Sequence, residues 1–199
     1  MDLLEHDDGA LLLAPVRPGD AILDTPATDP SVLPALRELW GTPGLVAGLG
    51  SAAERVAFGL ALVRRRAAAV VDRLGADVLD RGEAAALALA AEPGHHGLVH
   101  GDLHGGNLLA GPDGAVVVDP RPCVGDRTSD LVDLVLVDPA RLETTVATLA
   151  RELDGLDPDR LHAWCRALAP VSALAALRAD PGAAARRTRA LVALARAGP

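Results

Sequence analysis

The chain has 199 residues, 50% hydrophobic and 23% charged, which suits one domain with a sizeable core and excludes wholesale disorder. Its formal charge is −8 and all 19 basic residues are arginine, so chemistry that needs a lysine within this chain, a Schiff base or a lysine-bearing P-loop, is excluded. An acidic chain with no tyrosine, one phenylalanine and two tryptophans is a poor nucleic-acid binder, and no run reaches the roughly 18 apolar residues of a membrane span.

Residues 1–8 read as the remains of a strand or a loose end, too acidic for a signal peptide. Gly9 opens a turn, and Ala10 to Val16 reads as a short buried strand stopped by Pro15 and Pro18. Residues 19–50, rich in Pro and Gly, hold one short helix, Ser31 to Trp40, with Ser31 as its N-cap and Pro34 in its first turn. From Ser51 the text turns helical, with Glu54 at the capping-box spacing. That helix is expected to run to Leu74 and stop at Gly75, with Val56, Leu60, Val63, Ala67 and Val70 along one side. A shorter helix covers 82–91 and ends at Pro93-Gly94.

The character changes at Leu98. The stretch LVHGDLHGGNLL leads to a turn at Gly111-Pro112-Asp113-Gly114, and Ala115 to Val118 is a β-branched strand ending in Asp119 and Pro120. This is a hairpin with polar groups at both ends. Helices follow over 129–153, 159–179 and 182–197, giving a mainly α domain with one small β-hairpin embedded in it.

Asp102 and Asn107 lie five residues apart on a tight Gly-containing loop, and Asp119 leaves the hairpin. That arrangement brings the three polar groups to one edge. One carboxylate can then orient a hydroxyl and accept its proton, while the Asn carbonyl and the other carboxylate offer hard oxygen ligands to Mg²⁺. Phosphoryl transfer from a nucleotide asks for little more.

The segment resembles the H-x-D-x-x-x-x-N catalytic loop of aminoglycoside phosphotransferases and other small-molecule kinases with the protein-kinase-like fold. LVHGDLHGGNLLAGPDGAVVVDPRPCVGD is similar, more narrowly, to the streptomycin/hydroxyurea kinase branch. The resemblance implies Asp102 as the catalytic base and Asn107 and Asp119 as metal ligands. It implies His100 as a stabiliser of the loop, and places His104 near the phosphates. Gly125-Asp126 and Asp130-Leu131 look like the family's next signature, whose carboxylates tie the loop to the helical base. More weakly, GALLLAPVRPG over 9–19 resembles the family's hinge strand, so the backbone of Leu13, Ala14 and Val16 would hold adenine; the usual acidic residue is Ala14 here.

The implied fold class is mainly α: the C-terminal lobe of a kinase-like fold, α+β when complete. Residues 1–19 would be a residual hinge strand and 20–199 the lobe, with the catalytic loop at 98–109 and the metal-binding hairpin end at 115–120. The implied activity is transfer of the ATP γ-phosphoryl group, with Mg²⁺, to a hydroxyl of a small molecule such as an aminoglycoside-type antibiotic. Only eight residues precede the hinge, so the family's N-lobe, with its strand lysine and helix glutamate, is expected to be missing. The alternative is a catalytically inactive, truncated kinase-like domain acting as a binding or remnant protein. An unpaired hinge edge is open to self-association or another chain.

Other features read as structural. Arg121 is expected on the surface or paired with an aspartate, and Trp40 and Trp164 as core anchors. His95, His96 and His104 with Cys123 lack any zinc-ligand spacing. Cys123 and Cys165 make no CxxC pair, so they read as reduced thiols of a cytoplasmic protein, with Cys123 a small buried filler. Asp126, Asp130, Asp133 and Asp138 point in different helical directions, and net charge does not choose between a cationic and a neutral acceptor.

Overall fold

Leucine and alanine at helical spacing build the core, and the longest helix lies at its centre. The computed structural model describes residues 3–7, 9–42, 47–92, 97–180 and 185–199. The central helix, α7, spans Pro158–Ala179. Asp157 caps it by accepting from the amides of Asp159 (2.9 Å) and Arg160 (3.3 Å), and proline stands in its first turn, where no amide is needed. Leu161, Trp164, Cys165, Ala169, Leu174 and Leu177 are buried on several sides of it. Each fully buried leucine contributes about 1.5–3 kcal/mol relative to exposure.

Around α7 pack α2 (Ala52–Arg66), α3 (Ala68–Leu74), α4 (Ala76–Ala91) and α8 (Arg186–Ala197), with α5 (Val132–Val135) and α6 (Leu142–Glu152) on another side. α1 (Leu33–Gly41) leans on the hairpin strand Gly114–Val117. Gly82 lets α4 approach α7 closely: a Cβ there would lie 2.7 Å from the Ala167 carbonyl oxygen and 2.7 Å from Cγ of Pro170.

The strands form three antiparallel pairs among the described residues: β1 (Leu3–His6) with β2 (Leu11–Leu13), β3 (Gly97–Val99) with β6 (Cys123–Gly125), and β4 (Leu108–Gly111) with β5 (Gly114–Val117). The mainly helical architecture and the 108–117 hairpin agree with the sequence reading. No helix among the described residues is long and apolar enough to cross a membrane.

Several local expectations are corrected. The leucine run is not buried: β1 and β2 form a hairpin with Leu4 59% and Leu11 67% exposed, because no layer of the described residues covers either face. Ser31 is not the cap of α1. Its hydroxyl donates to Asp29 instead (2.6 Å), and the helix starts at Leu33. The capping box of Ser51 and Glu54 is present, but the helix breaks at Ala67, and α3 continues to Leu74. Gly75, at φ 108°, separates α3 from α4, which starts six residues before the expected 82. The expected helix over 129–153 is a 3₁₀ turn, α5, a second 3₁₀ turn and α6, with Pro139 in the interruption. Residues 182–184 of the last expected helix lie outside the described residues, as do His95 and His96.

Candidate active site

Two short strands launch the loop that carries Asp102. β3 pairs with β6 in the register Gly97↔Gly125 and Val99↔Cys123, over a small cluster of Ala52, Val99 and Cys123. Cys123 is therefore the buried filler expected, and burial pushes its thiol up. Beyond Val99, the carboxylate of Asp130 accepts from the amides of His100 (2.6 Å) and Gly101 (2.9 Å). Arg55 on α2 donates its Nε to the Gly101 carbonyl (2.8 Å). Gly101 sits at φ 78°, and a Cβ there would collide with the Arg121 carbonyl oxygen, so this turn requires glycine.

The His100 ring closes the loop from inside. Its Nδ1 accepts from the Asp102 amide (3.3 Å), and its Nε2 faces the Val118 carbonyl (3.1 Å). Both contacts suit the neutral ring with its proton on Nε2, the tautomer inferred from these partners. Burial lowers the His100 pKa and favours the same neutral form.

Asn107 is held against Asp102. Its Nδ2 donates to the Asp102 backbone carbonyl (2.8 Å), and its own backbone carbonyl accepts from the Val118 amide (3.0 Å). His104 caps the 3₁₀ turn Gly105–Asn107 by accepting from the Gly106 amide (3.0 Å). Asp119, one residue past Val118, is exposed and adopts φ 53°, a left-handed conformation unusual for a non-glycine residue. Arg121 Nε lies 3.1 Å from Asp102 Oδ2, the aspartate pairing anticipated for it.

Among the described residues, no group of three or more His, Cys, Asp or Glu side chains gathers as a metal site. The chemistry of Asn107 and Asp119 nevertheless suits Mg²⁺. The Asn107 nitrogen is committed to Asp102, which leaves Oδ1 as the acceptor of that side chain, and Asp119 adds one accessible carboxylate. Mg²⁺ takes one or two protein oxygens and completes its shell with water and phosphate.

The loop is bolted to the helices through Asp126. Its Oδ2 receives Arg160 Nε (2.7 Å) and Trp164 Nε1 (2.5 Å), and its Oδ1 receives the Thr128 amide (2.9 Å). Burial alone would raise this carboxyl, but the bonds from Trp164, Arg160 and Thr128 together outweigh it and hold its pKa below the ordinary value. Trp164 is thus the core anchor expected. Trp40 is half-buried, donates to the Asp154 carbonyl (2.8 Å) and carries the Arg127 guanidinium 4.6 Å from its ring centroid.

A cleft of about 710 Å³ opens beside the loop, between α2 and α7. Asp102, His104 and Arg121 line it, and so do Asp130 and Asp133. Asp133 is exposed to the cleft, yet surrounding protein displaces enough water to raise its pKa. Asn107 and Asp119 are not among the cleft residues, and neither are Leu13, Ala14 and Val16. Val16 lies instead beside Gly111, at the turn end of the 108–117 hairpin. The chain after it runs along β4, with the Gly19 amide on the Ala110 carbonyl (2.9 Å) and the Ile22 amide on the Leu108 carbonyl (2.8 Å). β4 therefore separates the expected hinge from Asn107 by its four residues, about 13 Å.

Sequence reasoning did not find Arg55 or Arg160. Each acts across a long chain separation, 46 residues to Gly101 and 34 to Asp126, and neither has a local signal.

Asp130 gives a test of the loop's anchoring. Burial raises its pKa from the ordinary 3.8 to about 6. A folded pKa above the unfolded one means that the contribution is complete below about 3.8 and is lost as pH rises through about 6. At pH 7 Asp130→Asn should cost about 1 kcal/mol, because its NH₂ group faces an amide donor in place of an oxygen. The wild-type advantage over that variant should shrink by about 2 kcal/mol between pH 4 and pH 7. Urea unfolding of both proteins across this range measures it; a difference independent of pH would contradict the assignment.

The profile of the aminoglycoside/hydroxyurea antibiotic resistance kinases matches residues 3–180. The chain belongs to that family. A relative, the hydroxyurea phosphotransferase of Kitasatospora aureofaciens, is 38% identical over 125 residues, which cover 61% of this chain and 32% of that protein. The chain thus spans about a third of the length of the curated relative it matches. No solved structure matches it. Membership places this kinase-family chain among phosphotransferase-like proteins in general terms.

Proposed function

We propose that the chain carries the acceptor side and the metal side of an ATP-dependent small-molecule O-phosphotransferase, and corresponds to the hinge and C-terminal lobe of the kinase-like fold. The observation that carries the reading is the bond from Asn107 to the Asp102 backbone, which holds a candidate base and a candidate metal ligand in one loop, with Asp119 entering beside Val118. In this reading Asp102 orients the acceptor hydroxyl and takes its proton. A bond forms from that oxygen to the γ-phosphorus and the bond to the bridging oxygen breaks, giving a phosphate ester and ADP. Asn107 Oδ1 and Asp119 would hold Mg²⁺, which would neutralise phosphate charge when bound. The backbone of Leu13, Ala14 and Val16 would receive adenine, and His104 would serve the phosphates.

A second reading treats the chain as a non-catalytic binding domain. Two observations favour it: Arg121 already occupies Asp102, and the leucines of β1 and β2 stand uncovered. Calorimetric titration with Mg²⁺-ATP separates the two. The first reading expects saturable binding that weakens at least tenfold in Asp119→Ala. Absence of binding at millimolar nucleotide would remove autonomous catalysis and leave the second.

A further inference from the structure

The cleft beside Asp102 does not suit a polycation. Three carboxylates, Asp102, Asp130 and Asp133, face it together with three guanidiniums, those of Arg55, Arg66 and Arg121. Its formal balance is therefore zero, in a chain whose total is −8. Two of the carboxylates are also engaged, Asp102 by Arg121 (3.1 Å) and Asp130 by two backbone amides. Such a site offers little attraction for a compound bearing several positive charges.

The walls point elsewhere. α2 presents Val56, Phe58, Leu62 and Val63, and α7 presents Leu168 and Val171. Phe58, the single phenylalanine of the chain, is 60% exposed. Phe58 and Leu62 are one helical turn apart on the same face of α2. Arg55 fixes one end of the cleft at the loop, because it binds the Gly101 carbonyl, and Arg66 is about 16 Å further along the helix axis. A space of about 710 Å³ lies within the range of drug-sized ligand sites and far exceeds what a few-atom substrate such as hydroxyurea would fill.

We infer that the acceptor is a neutral alcohol with an apolar body, its hydroxyl at Asp102 and its body between Phe58 and Leu62 of α2 and Leu168 and Val171 of α7. The inference rests on the phosphotransferase reading for the role of Asp102. The cleft itself is testable without nucleotide. Naphthylethanol, streptomycin and hydroxyurea are titrated separately into the purified full chain by calorimetry, with no ATP present. Naphthylethanol should bind most tightly, and Phe58→Ala should weaken it about tenfold. Leu62→Ala, a second exchange on the same face, should weaken it several-fold, with circular dichroism checking that both variants are folded. Tighter binding of streptomycin or hydroxyurea, no binding of naphthylethanol at millimolar concentration, or binding indifferent to both folded variants would each overturn the inference. A chain that binds naphthylethanol as expected but transfers no phosphoryl group would leave the cleft assignment standing while the phosphotransferase reading fails.

Discussion

Asp126→Ala should destabilise the chain by about 3–5 kcal/mol, a large fraction of what a domain of this size has in total. Asp126 and Arg160 are 5% and 7% exposed, so the variant leaves a guanidinium inside the protein without its inner partner. Arg160 retains the Leu89 carbonyl (2.6 Å) and the rim carboxylate of Glu92, which is half in solvent and a poor substitute. Trp164 Nε1 loses its acceptor in the same step, and so does the Thr128 amide that starts the turn over 127–131. The damage reaches the candidate site, since Asp130 sits on that turn and holds His100 and Gly101. Urea unfolding at neutral pH provides the number. Asp126→Asn serves as the comparison, because it preserves volume and one acceptor while removing the charge. A loss below about 1 kcal/mol for the alanine variant would show that Arg160 finds water or Glu92 at little cost. The pH response has a definite sign. Asp126 is held below the ordinary 3.8, so its contribution is present above that value and is lost as pH falls through the lower folded value.

What could be read from the amino-acid order, and what could not, divides by the range of the interactions. Ser51 and Glu54 form their capping box within four residues of chain, and the sequence pattern states it directly. Gly75 at positive φ and the turn at Gly111–Gly114 are likewise local. Asp102, Asn107 and the 108–117 hairpin share one continuous segment, so their approach was legible before any tertiary contact was known. The pairing of β3 with β6 was not legible: three-residue strands carry no periodicity, and the contacts beside them, Asp130 on His100 and the Ser51–Val124 bridge, come from distant parts of the chain. The leucines of β2 misled because burial was inferred from residue type alone. A run of apolar residues signals a strand, but whether a layer covers it is decided elsewhere in the chain. The break at Ala67 falls in the alanine-rich stretch 67–69, which is compatible with a continuous helix, and packing against α4 and α7 overrides it.

Asp102→Asn should lower phosphoryl transfer by about 10²–10⁴-fold while leaving Mg²⁺-ATP binding nearly unchanged. The exchange isolates the carboxylate because the loop does not depend on it. The contacts that shape the loop use the Asp102 backbone: its carbonyl accepts from Asn107 and its amide donates to His100 Nδ1. Among the described residues the Asp102 side chain pairs with Arg121, the two being 35% and 55% exposed, and such pairs contribute about 0–1 kcal/mol. Stability should therefore move little, and a lost rate is then not a lost fold. Asn107→Ala is the instructive contrast. It removes the bond to the Asp102 carbonyl as well as the candidate metal oxygen, so both binding and transfer should fall. Single-turnover transfer of labelled γ-phosphoryl to naphthylethanol, alongside the nucleotide dissociation constant, separates the two outcomes. If Asp102→Asn transfers at the wild-type rate, the carboxylate is not the base, and the Arg121 pair is the role that the side chain actually serves. If both the nucleotide affinity and the rate collapse in Asp102→Asn, the residue acts on the metal side of the loop, and the division of labour between Asp102 and the pair Asn107 and Asp119 is wrong.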